Sequence, residues 1–236
     1  MIKEALEYIV RLSKPEIQEI DGETYSDKSL HRVSYNPKAD EITLSTLSSL
    51  VDYIKSNVDE MKAPMIIHVK SPTKVSMYSA LDQDRRREYM VEVQAQLPSF
   101  DFNRFIDHES FCINLQSKFI DTEDRAVLLK FAGTVEAGTV AEYGDDGITQ
   151  KATIKTGIAS KGDAIVPNPV ALKPFRTFVE VDQPWSQFVF RMQGEKSIAC
   201  ALFEADGGAW KLEAMQSIKK YLESELEGIV GFVIIS

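Results

Sequence analysis

Three histidines, two cysteines and 36 acids are the groups from which this chain could assemble a reactive centre. His31, His68 and His108 fall in three different segments, with no H-x-x-x-H or H-E-x-x-H spacing. His108-Glu109 is an adjacent pair of ligand types, but neighbours one apart on a helix point in different directions. The spacing predicts no metal site. Cys112 sits between Phe111 and Ile113, and Cys200 between Ala199 and Ala201, so both read as small buried hydrophobes with inert thiols. There is no G-x-S-x-G elbow for a serine nucleophile, and neither G-x-x-x-x-G-K-[ST] nor G-x-G-x-x-G for a phosphate cradle. Gly207-Gly208 lies just before a helix, where free amides would suit an anion, but Asp206 beside them opposes one and a tight turn explains them better. Asp145-Asp146-Gly147 suggests calcium, yet Ile148-Thr149-Gln150-Lys151 supplies too few oxygens to continue such a loop, and a hairpin turn accounts for the motif. Acids are plentiful enough for a paired-carboxylate glycosidase, but nothing singles out a pair. The expectation is a chain with no catalytic residue, no cofactor and no bound metal.

Two surface features remain. Arg85-Arg86-Arg87 is the densest basic run, but Asp82, Asp84 and Glu88 bracket it, and 27 basic against 36 acidic residues leave the chain at −9. That charge opposes the counterion release that drives most nucleic-acid binding. Val166 to Arg176 carries three prolines, Pro167, Pro169 and Pro174, which pre-set an extended path with few amide donors. With Phe175 and the aromatics after it, such an arm suits either a contact on a neighbouring subunit or a rigid connection between strands.

The elements that must hold these residues are legible in part. An i, i+3, i+4 stripe of Ile2, Ala5, Leu6, Ile9 and Val10 predicts a helix over 2–12, stopped by Pro15. Asp21-Gly22 between two short extended runs predicts a hairpin. A second helix is expected from about Leu44 to Met61 with Ser45 as its cap. Met65 to Val69, Val75 to Leu81 and Glu88 to Leu97 read as three strands of an antiparallel meander, with Tyr89, Val91, Val93 and Ala95 on the buried face. Helical spacing resumes from Ser99 to Phe119 with a break near Asp107, and Thr122 caps a helix expected to end at Gly133. Beyond it, β-branched segments predict strands over 139–143, 148–158, 176–181, 187–192 and 197–203, with turns at Gly144 to Gly147, at Asp182 to Pro184 and at Gly194-Glu195. A last helix over 209–226 precedes Ile229 to Ile235, a nearly all-apolar strand that must be buried in its own sheet or on another subunit's edge. The fold class is α+β: antiparallel sheets, four to five helices, and a β-rich C-terminal half closed by a helix and a terminal strand. No flexible linker stands out, so one domain is expected, with a sub-boundary near 133.

The run Ser71-Pro72-Thr73-Lys74-Val75 with Tyr78-Ser79-Ala80-Leu81 carries a family resemblance. Leu97-Pro98-Ser99-Phe100 through Phe105, Phe111 to Phe119, Asp146 to Lys151 and Pro174 to Phe178 continue it, as does Phe188 to Met192. Over roughly residues 65–225 the chain resembles an uncharacterised family of tailed-phage and prophage proteins typified by YfdQ. The resemblance implies a phage or prophage origin and the bacterial cytoplasm, and it brings no catalytic residues with it.

At 236 residues and 44% hydrophobic content, the chain suits a folded domain that needs neither disulfide nor metal. Two cysteines without C-x-x-C spacing fit a reducing compartment. No apolar run approaches the roughly 20 residues that span a bilayer. Glu4 sits where a signal peptide would carry net positive charge. These readings converge on a non-enzymatic accessory protein that self-assembles into a homo-oligomer, a ring or cage, and acts by binding, with a host protein or defence component as target. The interface expected is the arm, Pro167, Pro169, Pro174 and Phe175, with the terminal segment Ile229, Val230, Phe232, Val233 and Ile234. The alternative is a replication or recombination accessory that touches nucleic acid through Arg85, Arg86 and Arg87, and behind it a nucleotide-binding or hydrolytic protein.

Overall fold

The computed structural model describes residues 2–29, 38–61, 64–137, 139–145, 150–156, 160–165, 168–193 and 198–236. Chain contacts divide it into two units, Met1–Lys38 and Ala39–Ser236. Gly133, where the sequence suggests a sub-boundary, lies inside a helix of the second unit.

The first unit holds helix α1 (Ile2–Ser13) and the hairpin β1 (Ile17–Ile20) and β2 (Glu23–Ser26). Its turn is the Asp-Gly pair of the sequence reading, with φ of 54° at Asp21 and 82° at Gly22, both left-handed as this turn requires. Asp27 closes the open end: its carboxylate accepts the Glu16 amide at 2.6 Å, and its own amide donates to the Glu16 carbonyl.

The second unit begins with β3 (Ile42–Leu44), α2 (Leu47–Ser56), β4 (Met65–Ser71), β5 (Lys74–Ser79) and β6 (Tyr89–Gln94). The short strand β7 (Ile106–Asp107), α3 (His108–Ser117) and α4 (Glu123–Ala137) follow. Then come β8 (Thr139–Asp145), β9 (Gln150–Thr156), β10 (Ser160–Ile165) and β11 (Val170–Leu172). The chain finishes with β12 (Ser186–Gln193), β13 (Ala199–Glu204), α5 (Ala209–Glu225) and β14 (Phe232–Ile235). The described residues thus form an α+β fold, and none of their helices is long and apolar enough to cross a membrane.

The largest sheet runs β14-β4-β5-β6-β3. Its centre is the expected antiparallel meander, while β14 joins β4 and β3 joins β6 in parallel. One face, carrying Met65, Ile67, Val69, Val75, Met77, Val91 and Val93, is buried against Leu47, Leu50 and Ile54 of α2 and Ile218 and Leu222 of α5. Alternation along the strands turns Ile66, His68, Lys70, Tyr78 and Glu92 to the opposite face. The cap of α2 is Thr46, not Ser45: its hydroxyl accepts the Ser49 amide at 3.2 Å.

A second sheet, β11-β12-β13-β7, packs on α3 and α4 around Phe111, Leu115, Phe119, Leu128, Phe131, Phe188, Phe190 and Leu202. The helix expected from Ser99 to Phe119 is shortened to α3. Phe100 and Phe102 sit on an irregular segment as a ring cluster with Phe119, so their spacing reports aromatic packing and not a helical face. The helix expected to stop at Gly133 runs on to Ala137, since a lone glycine costs a helix only about 1 kcal/mol. β8, β9 and β10 form a third antiparallel sheet; β10 has no counterpart in the sequence reading. The turn at Asp146-Gly147 and the one at Gly194-Glu195 lie outside the described residues.

Residues 176–181, expected as a strand, pair with no strand. The Gln183 side chain takes the place of a ladder: its Oε1 accepts the Arg176 and Thr177 amides at 2.9 and 3.1 Å, and its Nε2 donates to the Phe178 carbonyl at 3.0 Å. The Thr177 hydroxyl donates to the Pro72 carbonyl in the β4–β5 turn at 2.6 Å. The segment thereby fastens one hydrophobic core to the other.

Candidate functional site

Four places bring together groups that could act. The first collects the thiols and an imidazole that the sequence kept apart. His108 is buried, and its Nε2 lies 2.9 Å from the Ala132 carbonyl and 3.6 Å from Cys112 Sγ. A carbonyl only accepts, so Nε2 donates to the Ala132 carbonyl. Cys200 is fully buried, and burial with the neighbouring Cys112 pushes its thiol up to about 12. A thiol raised so far is a poor nucleophile, since attack needs the thiolate.

The second place is a knot around Arg176, which sequence reasoning missed. The guanidinium lies 4.5 Å from the Phe102 ring centre and 4.2 Å from that of Trp210, bonds Glu204 Oε1 at 3.1 Å and donates to the Ser186 hydroxyl at 3.2 Å. Burial lowers its pKa, while the fields of Glu204 and Asp206 raise it; a guanidinium so paired stays charged. Here the charge is spent on its own chain. Only the polarity of Arg176 between Phe175 and Thr177 in an otherwise core-like run could have marked it. Close by, Gly208 caps α5 with φ 82° and donates its amide to Asp206 Oδ1 at 2.9 Å, so the Gly207-Gly208 turn offers an acid where an anion would dock.

The third place is the open face of the large sheet. Tyr78 and Tyr89 stand side by side, ring centres 5.3 Å apart. Arg87 lies over the Tyr78 ring at 5.2 Å and donates to the Ser79 carbonyl, Lys70 lies over Tyr89 at 5.9 Å, and His68 Nδ1 is 3.3 Å from the Tyr78 hydroxyl. The period-two reading set Tyr89 on the buried face. A register shift between Met77 and Tyr78 places it opposite Tyr78 instead, and it is 49% exposed. The arginine triplet is thus divided: Arg85 holds a left-handed turn at φ 57°, the Arg86 amide donates to the Asp82 carboxylate, and Arg87 folds onto the sheet.

The fourth is the terminal strand with the proline arm. The strand pairs within its own chain, Phe232 opposite Met65 through Ile235 opposite His68. Ile229, Phe232 and Ile234 pack against the α2–α5 core, whereas Val230, Val233 and Ile235 are 90%, 56% and 40% exposed. The arm is no free projection. After a cis bond at Asn168-Pro169 it becomes strand β11 against β12, Pro174 is buried in a bridge to Phe119, Phe175 is half-buried and Pro169 is exposed. Pro167 lies outside the described residues.

Among the described residues no group of three or more His, Cys, Asp or Glu is placed to hold a metal ion. A cleft lined by Thr46, Gln96, Phe178 and Glu180 measures about 120 Å³, below the roughly 300 Å³ at which small-molecule sites begin. No family model matches the chain, and neither a curated protein nor a solved structure does.

Proposed function

We propose that this chain is a phage- or prophage-type accessory protein of the bacterial cytoplasm that catalyses no reaction and works by binding, as a homo-oligomer built through its terminal strand. The observation that carries the reading is the character of the β14 edge. β14 is the outermost strand of its sheet, with one row of backbone groups paired to β4 and the other facing outward. Sheets protect such edges with lysine, proline, bulges or very short strands. Phe232–Ile235 is short but has no charge, no proline and no break in register, and it carries Val233 and Ile235 exposed beside it.

Two copies meeting edge to edge would extend the sheet across a two-fold axis and cover these side chains, the simplest closed arrangement for identical chains. A ring or cage built from such dimers needs a second contact, for which exposed Pro169 and half-buried Phe175 are the candidates. The target of the assembled protein, in this reading, is a host protein or a component of host defence.

Light scattering at micromolar concentration tests the assembly. The expected mass is an integral multiple of 26.5 kDa, at least twice that value. Val233→Lys, which puts a charge on the edge without touching the core, should return the protein to one chain with its circular dichroism unchanged. A wild-type protein that stays at one chain's mass would discard the reading.

A further inference from the structure

We propose that the edge contact argued above, on whose reading this inference rests, is an antiparallel pairing of two β14 strands about an axis beside Val233, with Ile235 of each copy seated over Gly231 of the other. The register follows from the backbone. The Gly231 carbonyl accepts the Met65 amide at 2.8 Å, and Val233 and Ile235 lie opposite Ile66 and His68 of β4. In a parallel ladder every second residue turns its amide and carbonyl to the same neighbour. Gly231, Val233 and Ile235 therefore serve β4, while the amides and carbonyls of Phe232 and Ile234 face outward. One antiparallel register satisfies both outward residues within β14 itself: Phe232 of one copy opposite Ile234 of the other, and the reverse. Moving the axis to Phe232 or to Ile234 sends the remaining groups to Val230 or Ser236, outside the strand.

The side chains fit the same register. Val233 of one copy meets Val233 of the other across the axis, and each already lies beside Ile66 of its own chain, so the open face gains a continuous apolar row. Ile235, 40% exposed, comes opposite Gly231, where a Cβ would have nothing within 4 Å. The gap left by one residue receives the side chain of the other, and a φ of 93° suits that position to glycine. The opposite edge of the sheet does not compete. Exposed Asp40 and Glu41 lead into β3, charges of the kind that guard an edge, and β14 carries no base to set against them. Self-pairing of β14 closes on itself, whereas β14 on β3 would join copies head to tail.

The test is cysteine cross-linking of the full chain under oxidised glutathione, read on a non-reducing gel beside light scattering of the wild-type protein. A directly opposed pair that exchanges no backbone bonds has its Cα atoms about 4.5 Å apart, within disulfide reach. Val233→Cys should therefore give a linked species at twice the 26.5 kDa of one chain, shown by peptide mass to join residue 233 to itself. Val230→Cys, at a more exposed position, and Ile235→Cys should not link, since each lies several residues from its own copy across the axis. If the protein scatters as two or more chains and Val233→Cys stays unlinked at 233, or links no faster than Val230→Cys, this register is overturned and the assembly reading stands. A wild-type protein at one chain's mass overturns both. A mass that climbs with concentration without a plateau also overturns the register, since β14 then meets an edge other than itself.

Discussion

Arg176 shows how much structure one side chain can organise. Its guanidinium is buried, flanked by Phe102 and Trp210, and bonded to Glu204 and Ser186. Arg176→Leu leaves Glu204 without its partner and should cost about 2–3 kcal/mol of stability in urea denaturation. Arg176→Lys keeps the charge but loses the planar fork and the ring contacts, and should still cost about 1–2 kcal/mol. A lysine variant as stable as wild type would show that the charge alone matters. Asp107 acts at the same scale on α3. Its carboxylate accepts the Ser110 amide at 2.9 Å, and that bond holds its pKa below the ordinary value. A carboxyl lowered in the folded state stabilises above its unfolded pKa, and the benefit fades as pH falls through the folded value. Wild type should therefore lose stability below about pH 4 more steeply than Asp107→Asn, which still caps the helix but does not titrate. Parallel acid-unfolding curves for the two proteins would contradict this.

At the scale of elements, α5 starts without a side-chain cap, from a glycine in the left-handed region. A Cβ at Gly208 would meet Lys211 carbons at 3.9 Å, ordinary contact, so the penalty of Gly208→Ala is conformational alone, about 1 kcal/mol. Thermal unfolding of that variant should show a drop of this size; no change would mean the turn adopts another path. Legibility in the sequence varied for the same kind of physical reason. The meander was readable because Met65, Ile67 and Val69 alternate with less buried residues, and the first hairpin because Asp-Gly demands one turn type. Long-range choices left no local trace. Nothing in Phe232–Ile235 says that it lies parallel to a strand more than 160 residues earlier, and nothing around Gln183 says that a side chain replaces a strand partner. The candidate site was half visible: Arg87 was in view within the triplet, but Lys70 and Tyr89 join it only through strand pairing and a register shift.

For the whole molecule, the described members of both hydrophobic clusters all lie within Ala39–Ser236. A chain lacking residues 1–38 should therefore fold and melt within about 4 °C of the full protein. A transition lowered well beyond that, seen by calorimetry, would show that the first unit supports the second. Within the larger unit, consecutive residues serve different interiors: Arg176 reaches the rings of Phe102 and Phe188, while Phe178 sits among the side chains of α2 and α5, with Thr177 tied to Pro72 between them. Two residues apart along the backbone, these side chains leave too little slack for either interior to loosen unnoticed by the other. Heat, denaturant or a pulling force applied at one end should thus find a single breaking point, and the two halves ought to melt as partners, not in sequence.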